Sequence, residues 1–295
     1  MTAQATSRAI DSIDHVDLRV RDIDRALGFY SAVAGLEVGD KTNDSAALNS
    51  SGGETIINLS SQGVTGPADR SAAGLFHTAI RFPTRKSLGE ALGRLAEAGY
   101  QIGAGDHGVS EALYIDDPDG NGVELYWDRP RDQWPEPGPG ERVGMYTIAV
   151  DLESLLREGD VDDGVPANAP DGTDIGHVHL QASDIETTTA FYRDILGFDL
   201  MARFGDQASF LSSQDYHHHI GANSWNSRGG APAATDRAGL TRIVFRVEDP
   251  KELERLVARL AGAGAEHTVN EDEVTVRDPN GVELVFRRHG EAVTS

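Results

Sequence analysis

Apolar and polar positions alternate along HVDLRV from His15, the two-residue period of a strand with one buried face. After an Asp the period becomes helical, and short apolar runs punctuated by Gly, Asn and Asp follow, which predicts a helix and then turn-linked strands. Further along, Leu88, Leu92, Leu95 and Ala96 recur at helical spacing, and Gly99 stands where that helix should stop. The same order is read four times, so the chain is expected to be α+β, four βαβββ modules in two similar domains.

An internal repeat supports this count. IDHVDLRVRDIDRALGFYSAVAGLEV from Ile13 recurs without a gap as IGHVHLQASDIETTTAFYRDILGFDL from Ile175, with His15 over His177, Phe29-Tyr30 over Phe191-Tyr192 and Gly35 over Gly197. GLFHTAIRFPTRKSLGEALGRLAEAGY from Gly74 similarly matches GLTRIVFRVEDPKELERLVARLAGAGA from Gly239, and each leads into a turn and strand, DPDGNGVELYW from Asp117 and DPNGVELVF from Asp278. WPEPGPGERVG from Trp134 carries three prolines and cannot continue a sheet. The expected organisation is an N-terminal domain over 1–134 with modules one and two, a connector over 135–174 containing the helical stretch DLESLLREG, and a C-terminal domain over 175–295 with modules three and four.

Composition narrows the chemistry. The absence of cysteine excludes disulfides, iron–sulfur clusters and thiolate ligands, so any metal must sit on imidazole and carboxylate. A net charge of −22 argues against nucleic acid or an anionic membrane as partner. No run approaches the ~20 apolar residues of a membrane span, and the first residues lack the regions of a signal peptide, so a cytoplasmic protein is expected. Lys41, Lys86 and Lys251 are the only lysines, and aspartate outnumbers glutamate, a bias resembling that of salt-adapted proteins.

Four modules with HV-L strands, helices ending FY-x4-GL/GF and DP-G-GVEL terminal strands resemble the vicinal oxygen chelate superfamily. Within it the chain is similar to the two-domain extradiol dioxygenases, closest to the catechol 2,3-dioxygenases whose third module carries a YHHHIG-type strand. In such proteins a metal sits in a funnel, held from the first strand of two modules and the last strand of one. Here the first-strand positions are His15, His77, His177 and Arg242, and the last-strand carboxylates are Glu124 and Glu283. Strand alternation turns Glu124 away from Val123 and Leu125, and a carboxylate aimed inward needs a partner or a metal. Glu283 faces Arg242, so module four reads as an ion pair without ligand function.

The resemblance implies Fe(2+), with Mn(2+) as a substitute, on two histidines and a glutamate, leaving positions for a diol and O2. Two ligand sets remain open: His77, Glu124 and His177 if module two packs on module three, or His15, His77 and Glu124 if modules one and two pair. The first is preferred because it gathers every functional residue type in one cavity. Tyr216-His217-His218-His219-Ile220-Gly221 is the most specific signal. On a strand His217 and His219 face one way and His218 the other, and alignment over Ile56 turns His218 inward as the acid–base histidine. Tyr114 and His107 match the tyrosine and histidine that precede the glutamate ligand. His179 is expected to alternate away from His177 and be structural, His267 and His289 lack neighbours, and Asn223 and Trp225 either line the pocket or pack.

The expected activity is ring cleavage of catechol or a small substituted catechol next to the diol, giving a 2-hydroxymuconic semialdehyde, by an enzyme that is a homo-oligomer. The alternatives are a glyoxalase-type metal-dependent isomerase or lyase, and a metal-free protein that binds an aromatic compound.

Overall fold

Each module opens with a strand and a capped helix. In the computed structural model, which describes residues 9–288, module one comprises β1 (Ser12–Arg19), α1 (Ile23–Ala34), β2 (Glu37–Lys41), β3 (Ser45–Asn49) and β4 (Thr55–Ser60). Module two comprises β5 (Gly74–Arg81), α2 (Arg85–Glu97), β6 (Gly103–Asp106), β7 (Ser110–Asp116) and β8 (Gly122–Asp128), and α3 (Leu152–Gly159) lies in the connector. Module three has β9 (Asp174–Gln181), α4 (Ile185–Ala190) continued by a π turn over Phe191–Ile195, β10 (Asp199–Phe204), β11 (Ala208–Ser212) and β12 (Ile220–Asn223). Module four has β13 (Gly239–Val247), α5 (Pro250–Gly262), β14 (His267–Val269), β15 (Glu273–Arg277) and β16 (Glu283–Arg288).

The side chains of Asp22, Thr84, Asp151, Asp184 and Asp249 accept hydrogen bonds from backbone N–H groups at the helix starts, satisfying donors that the helices leave free. At the end of α2, Ala98 is the C-cap and Gly99 follows in the left-handed region at φ +71°, as the sequence suggested.

The two sheets do not follow the two halves of the sequence. One has the order β14-β15-β16-β13-β1-β4-β3-β2, the other β10-β11-β12-β9-β5-β8-β7-β6. The first strands of modules one and four pair antiparallel, as do those of modules two and three, so each sheet takes one module from each half. Within each half the modules are joined differently. The Tyr30 hydroxyl of α1 donates to Asp117 in the turn before β8, at 3.3 Å, and the Tyr192 hydroxyl donates to Asp278 before β16, at 3.2 Å. Both tyrosines of the FY repeat are fully buried, in a core that also holds Phe198, Phe245 and Phe286. Each such side chain stabilises the fold by roughly 1.5–3 kcal/mol through burial.

The connector packs rather than hanging free. Helix α3 lies on α2 so closely that a Cβ added to Gly89 would come 2.3 Å from the Leu155 carbonyl oxygen. The Arg142 N–H then donates to the Met201 carbonyl, at 2.8 Å, tying the connector to β10. No helix of the described residues is long and apolar enough to cross a membrane.

Candidate metal centre

The centre is assembled on three neighbouring strands, β9, β5 and β8. Ala79 of β5 lies opposite His177 of β9 on one side and opposite Glu124 of β8 on the other. Residues in one cross-strand row share a face, so His177 and Glu124 flank a small side chain and lean toward each other over it. His77 stands two residues before Ala79, on the same face. All three are buried, and one ligand atom from each lies within 4.8 Å of the others. His77 Nε2 is 2.8 Å and His177 Nε2 3.2 Å from Glu124 Oε2. Two bulges shape the pairing of β5 with β9: Phe76 and Gly176 are each the extra residue of a register shift. Gly176 is required where it stands, because a Cβ there would come 1.8 Å from the Tyr126 hydroxyl.

These residues fit a divalent metal. His77 Nε2 is buried and, despite its closeness to Glu124, has no aligned hydrogen-bond partner. An orphaned ring nitrogen is costly unless something else uses its lone pair. Burial pushes the Glu124 carboxyl up, but the imidazoles of His177 and His77 outweigh it and hold the group well below the usual carboxylate range. Burial also drives the His177 imidazole down, which keeps it neutral, and neutral imidazole with ionised carboxylate is the state that binds a metal. The donor set, two nitrogens and one carboxylate oxygen without sulfur, suits iron, manganese or zinc.

Other predicted residues surround this group. The His218 ring lies 4.2 Å from that of His177 and 5.0 Å from Phe210, and burial pushes its pKa well below the ordinary histidine value. Tyr114 pairs with Glu124 across β7 and β8, its ring 5.5 Å from His77. Its hydroxyl is 2.7 Å from His107 Nε2, and His107 Nδ1 is 3.1 Å from Thr147 Oγ1. Burial, then the charge of Glu124, raises the Tyr114 phenol well above its usual pKa, so it stays protonated. Trp225, 47% exposed, stands 5.5 Å from Phe76 and 6.1 Å from His179, forming an aromatic margin. Asn223 is buried, its Oδ1 accepting from the Trp225 N–H.

Two expectations are corrected. His179 does not alternate away from His177: residues two apart on a strand share a face, and His179 pairs opposite His77 with ring centroids 4.9 Å apart. It is buried, with Nε2 unpartnered, at the wall of the centre, and HVH read with strict two-residue periodicity would have found it. The histidine run is also not on a strand, because β12 begins at Ile220. Ile220 pairs with Val178 as Ile57 pairs with Val16, so the repeat places His219, not His218, over Ile56. One residue has been gained in module three in the turn between β10 and β11: Leu200 still stands over Val38, but Leu211 stands over Leu48. His218 faces the centre because the chain bends there. His219 turns off to Ser212, whose Oγ lies 3.0 Å from its Nδ1.

The other sheet holds a different arrangement at the corresponding place. Arg242 bridges Glu283 at 2.6 Å and Asp17 at 3.2 Å, and His15 is engaged by Asp14 at 2.7 Å. A guanidinium occupies the space where the repeat would put a ligand. His267 Nδ1 lies 2.8 Å from the Ala265 carbonyl oxygen, and His289 lies outside the described residues.

Fold and site together define a class. The pattern of the Glyoxalase/Bleomycin resistance protein/Dioxygenase superfamily matches residues 12–125 and 174–286. Catechol-2,3-dioxygenase of Bacillus subtilis (strain 168) is 42% identical over 278 residues, 93% of this chain and 96% of that protein. The chain therefore belongs to this superfamily and, within it, to the extradiol (catechol 2,3-) dioxygenase family. Biphenyl-2,3-diol 1,2-dioxygenase 2 of Rhodococcus globerulus is 30% identical over 125 residues, 41% of this chain and 62% of that protein. Glyoxalase I of Zea mays, 17% identical, superposes with a TM-score of 0.57 over 94% of this chain and 92% of its own, a likeness of fold alone.

Proposed function

We propose that the protein is an Fe(II)-dependent extradiol dioxygenase that opens catechol or a small substituted catechol beside its diol with O2, giving a 2-hydroxymuconic semialdehyde. The observation that carries this is the placing of acid–base groups at both ends of one ligand triad: His218 against His177, and Tyr114 with His107 against His77. An isomerase of glyoxalase type would use the triad but has no task for this flanking set. The 42% identity to a catechol-2,3-dioxygenase over nearly the whole chain supports the same substrate class.

Iron held by His77, Glu124 and His177 would supply a Lewis acid for the diol oxygens and a source of electrons for dioxygen, and manganese has similar ligand preferences. The chain's own residues do the rest. Phe76, Phe210 and Trp225 offer apolar surfaces for an aromatic ring. The Tyr114 phenol, kept protonated, donates a hydrogen bond to a diol oxygen. His218, kept neutral by burial, accepts the diol proton and later returns it to the departing oxygen, one group serving first as base and then as acid.

Anaerobic loading with Fe(II), followed by oxygen uptake and product absorbance with catechol, tests the reading. Stoichiometric oxygen consumption with formation of the yellow semialdehyde is expected. An iron-loaded protein that consumes no oxygen with catechol, or that isomerises a hemithioacetal instead, overturns it.

A further inference from the structure

His218 is not alone on its inner side. Its Nδ1 lies 2.8 Å from Nδ1 of His217, whose side chain is wholly buried, and His217 Nε2 lies 2.6 Å from Asp128 Oδ1. Asp128 sits at the last position of β8, four residues beyond Glu124, and its other oxygen accepts from the Tyr216 hydroxyl at 2.8 Å. Trp134 packs on the His217 ring at 5.4 Å.

This order of contacts dictates where the protons are. The His217 imidazole and the Arg81 guanidinium outweigh the effect of burial and keep Asp128 an ionised carboxylate, which can only accept. Of the two tautomers of His217, only the one that carries its proton on Nε2 can donate to Asp128, and that tautomer presents a bare Nδ1. That atom can only accept, so His218 donates from its own Nδ1 and is left with a bare Nε2. A histidine held this way has one nitrogen tied behind it and the other ready to take a proton.

Asp128 is also reachable from outside. With 20% of its side chain exposed, it lines a cavity of ≈ 550 Å³ together with Arg81, Trp134, Tyr216 and His219. None of His77, Glu124 and His177 lines this cavity.

We propose that Asp128 and His217 are a positioning pair that fixes the tautomer and orientation of His218, setting its Nε2 as the proton acceptor, with a solvent cavity behind the pair. The proposal rests on the reading of His218 as the acid–base group of ring cleavage. Neither residue touches substrate; each acts through the next.

The test combines chemical rescue with a spectroscopic readout. Asp128→Ala, loaded with iron, is expected to lose ~10–100-fold in kcat, the range typical of outer-shell partners, with KM for catechol within a few fold. Formate, small enough to enter the cavity and replace the carboxylate, should restore much of the loss. His217→Phe keeps the ring volume but cannot pass the hydrogen bond on, so it should show a similar loss that formate does not repair. Nitrogen-15 histidine spectra of the metal-free wild type should show His218 protonated at Nδ1, and Asp128→Ala should lose that preference until formate is added.

An unchanged kcat in either variant, or a formate effect equal in all three proteins, overturns the pairing. So does a wild-type His218 protonated at Nε2. Should Asp128→Ala fail to fold, His217→Phe and the wild-type spectrum still decide. A wild type with no oxygen uptake on catechol would instead remove the functional reading, while the tautomer result stands by itself.

Discussion

Replacing Glu124 by Gln should erase the stabilisation that a bound metal gives, and the size of that stabilisation follows from the excess of metal over its Kd. A ligand that binds only the folded state stabilises it by RT ln(1 + [L]/Kd), about 2.7 kcal/mol at a hundredfold excess over Kd. At about 2.1 cal/mol/K per residue the unfolding entropy of this 295-residue chain is about 0.6 kcal/mol/K, so 1 kcal/mol moves the melting temperature by roughly 1.6 °C and Fe(II) at that excess should raise Tm by about 4 °C. Glu124 is the one negative group of the triad, with both imidazoles within 3.2 Å of its Oε2. Its neutral amide leaves two imidazoles and a weak oxygen donor, and the increment at the same metal concentration should fall to about 1 °C or less. His15→Ala, in the other sheet, removes the histidine of the alternative ligand set and should keep the full increment. The assay is anaerobic thermal denaturation of three proteins with and without Fe(II). A retained increment in Glu124→Gln, or its loss in His15→Ala, refutes the assignment of the centre to β9, β5 and β8.

Three further outcomes are expected. His218→Gln should lower turnover by about 10²–10⁴ while leaving iron and catechol binding within a few fold, measured by oxygen uptake and titration; loss of iron would make His218 a ligand instead. Asp14 is raised by burial but lowered more by hydrogen bonds with His15 and Arg246, its pKa falling from 3.8 to about 2 on folding. The folded value is the lower one, so this stability is complete above the unfolded pKa and drains away as pH falls from about 4 to 2. Asp14→Asn should thus cost about 2 kcal/mol in urea unfolding at pH 7 and progressively less below pH 4, and a gap that does not narrow there contradicts the assignment. The −22 charge should make Tm rise between 0.1 and 3 M KCl, as screening shortens from ~10 Å to ~3 Å or less; a flat or falling curve removes the inference of salt adaptation.

Local features were legible in the sequence because they depend on near neighbours. The helix over Arg85–Glu97 follows from its apolar period and its Gly stop, and the inward turn of Glu124 follows from the period of a strand. The grouping of His77 and Glu124 with a further histidine was legible up to one ambiguity, His15 or His177, and it is the strand pairing between β5 and β9 that brings His177 to them. His179 was missed through misapplied periodicity, not missing information. The histidine run was misplaced because a gained residue shifts the register and no local signal marks where a strand begins after a bend. The link from His217 to Asp128 could not be read at all, since these residues lie 89 positions apart and meet only when β8 and the β11–β12 bend converge.

The nesting of the two sheets has a consequence for how the chain is made. The sheet that carries the triad uses strands from Gly74 to Asn223, while the other must join β1 to β13, whose partners stand more than 200 residues apart. During synthesis the inner sheet has all its strands before module four has emerged, whereas module one must wait for β13 to arrive. Closing so long a loop costs entropy that only the completed outer sheet offsets. Halves produced separately by cutting within the connector would each lack a sheet partner, so the active protein should be recovered only when both halves fold together.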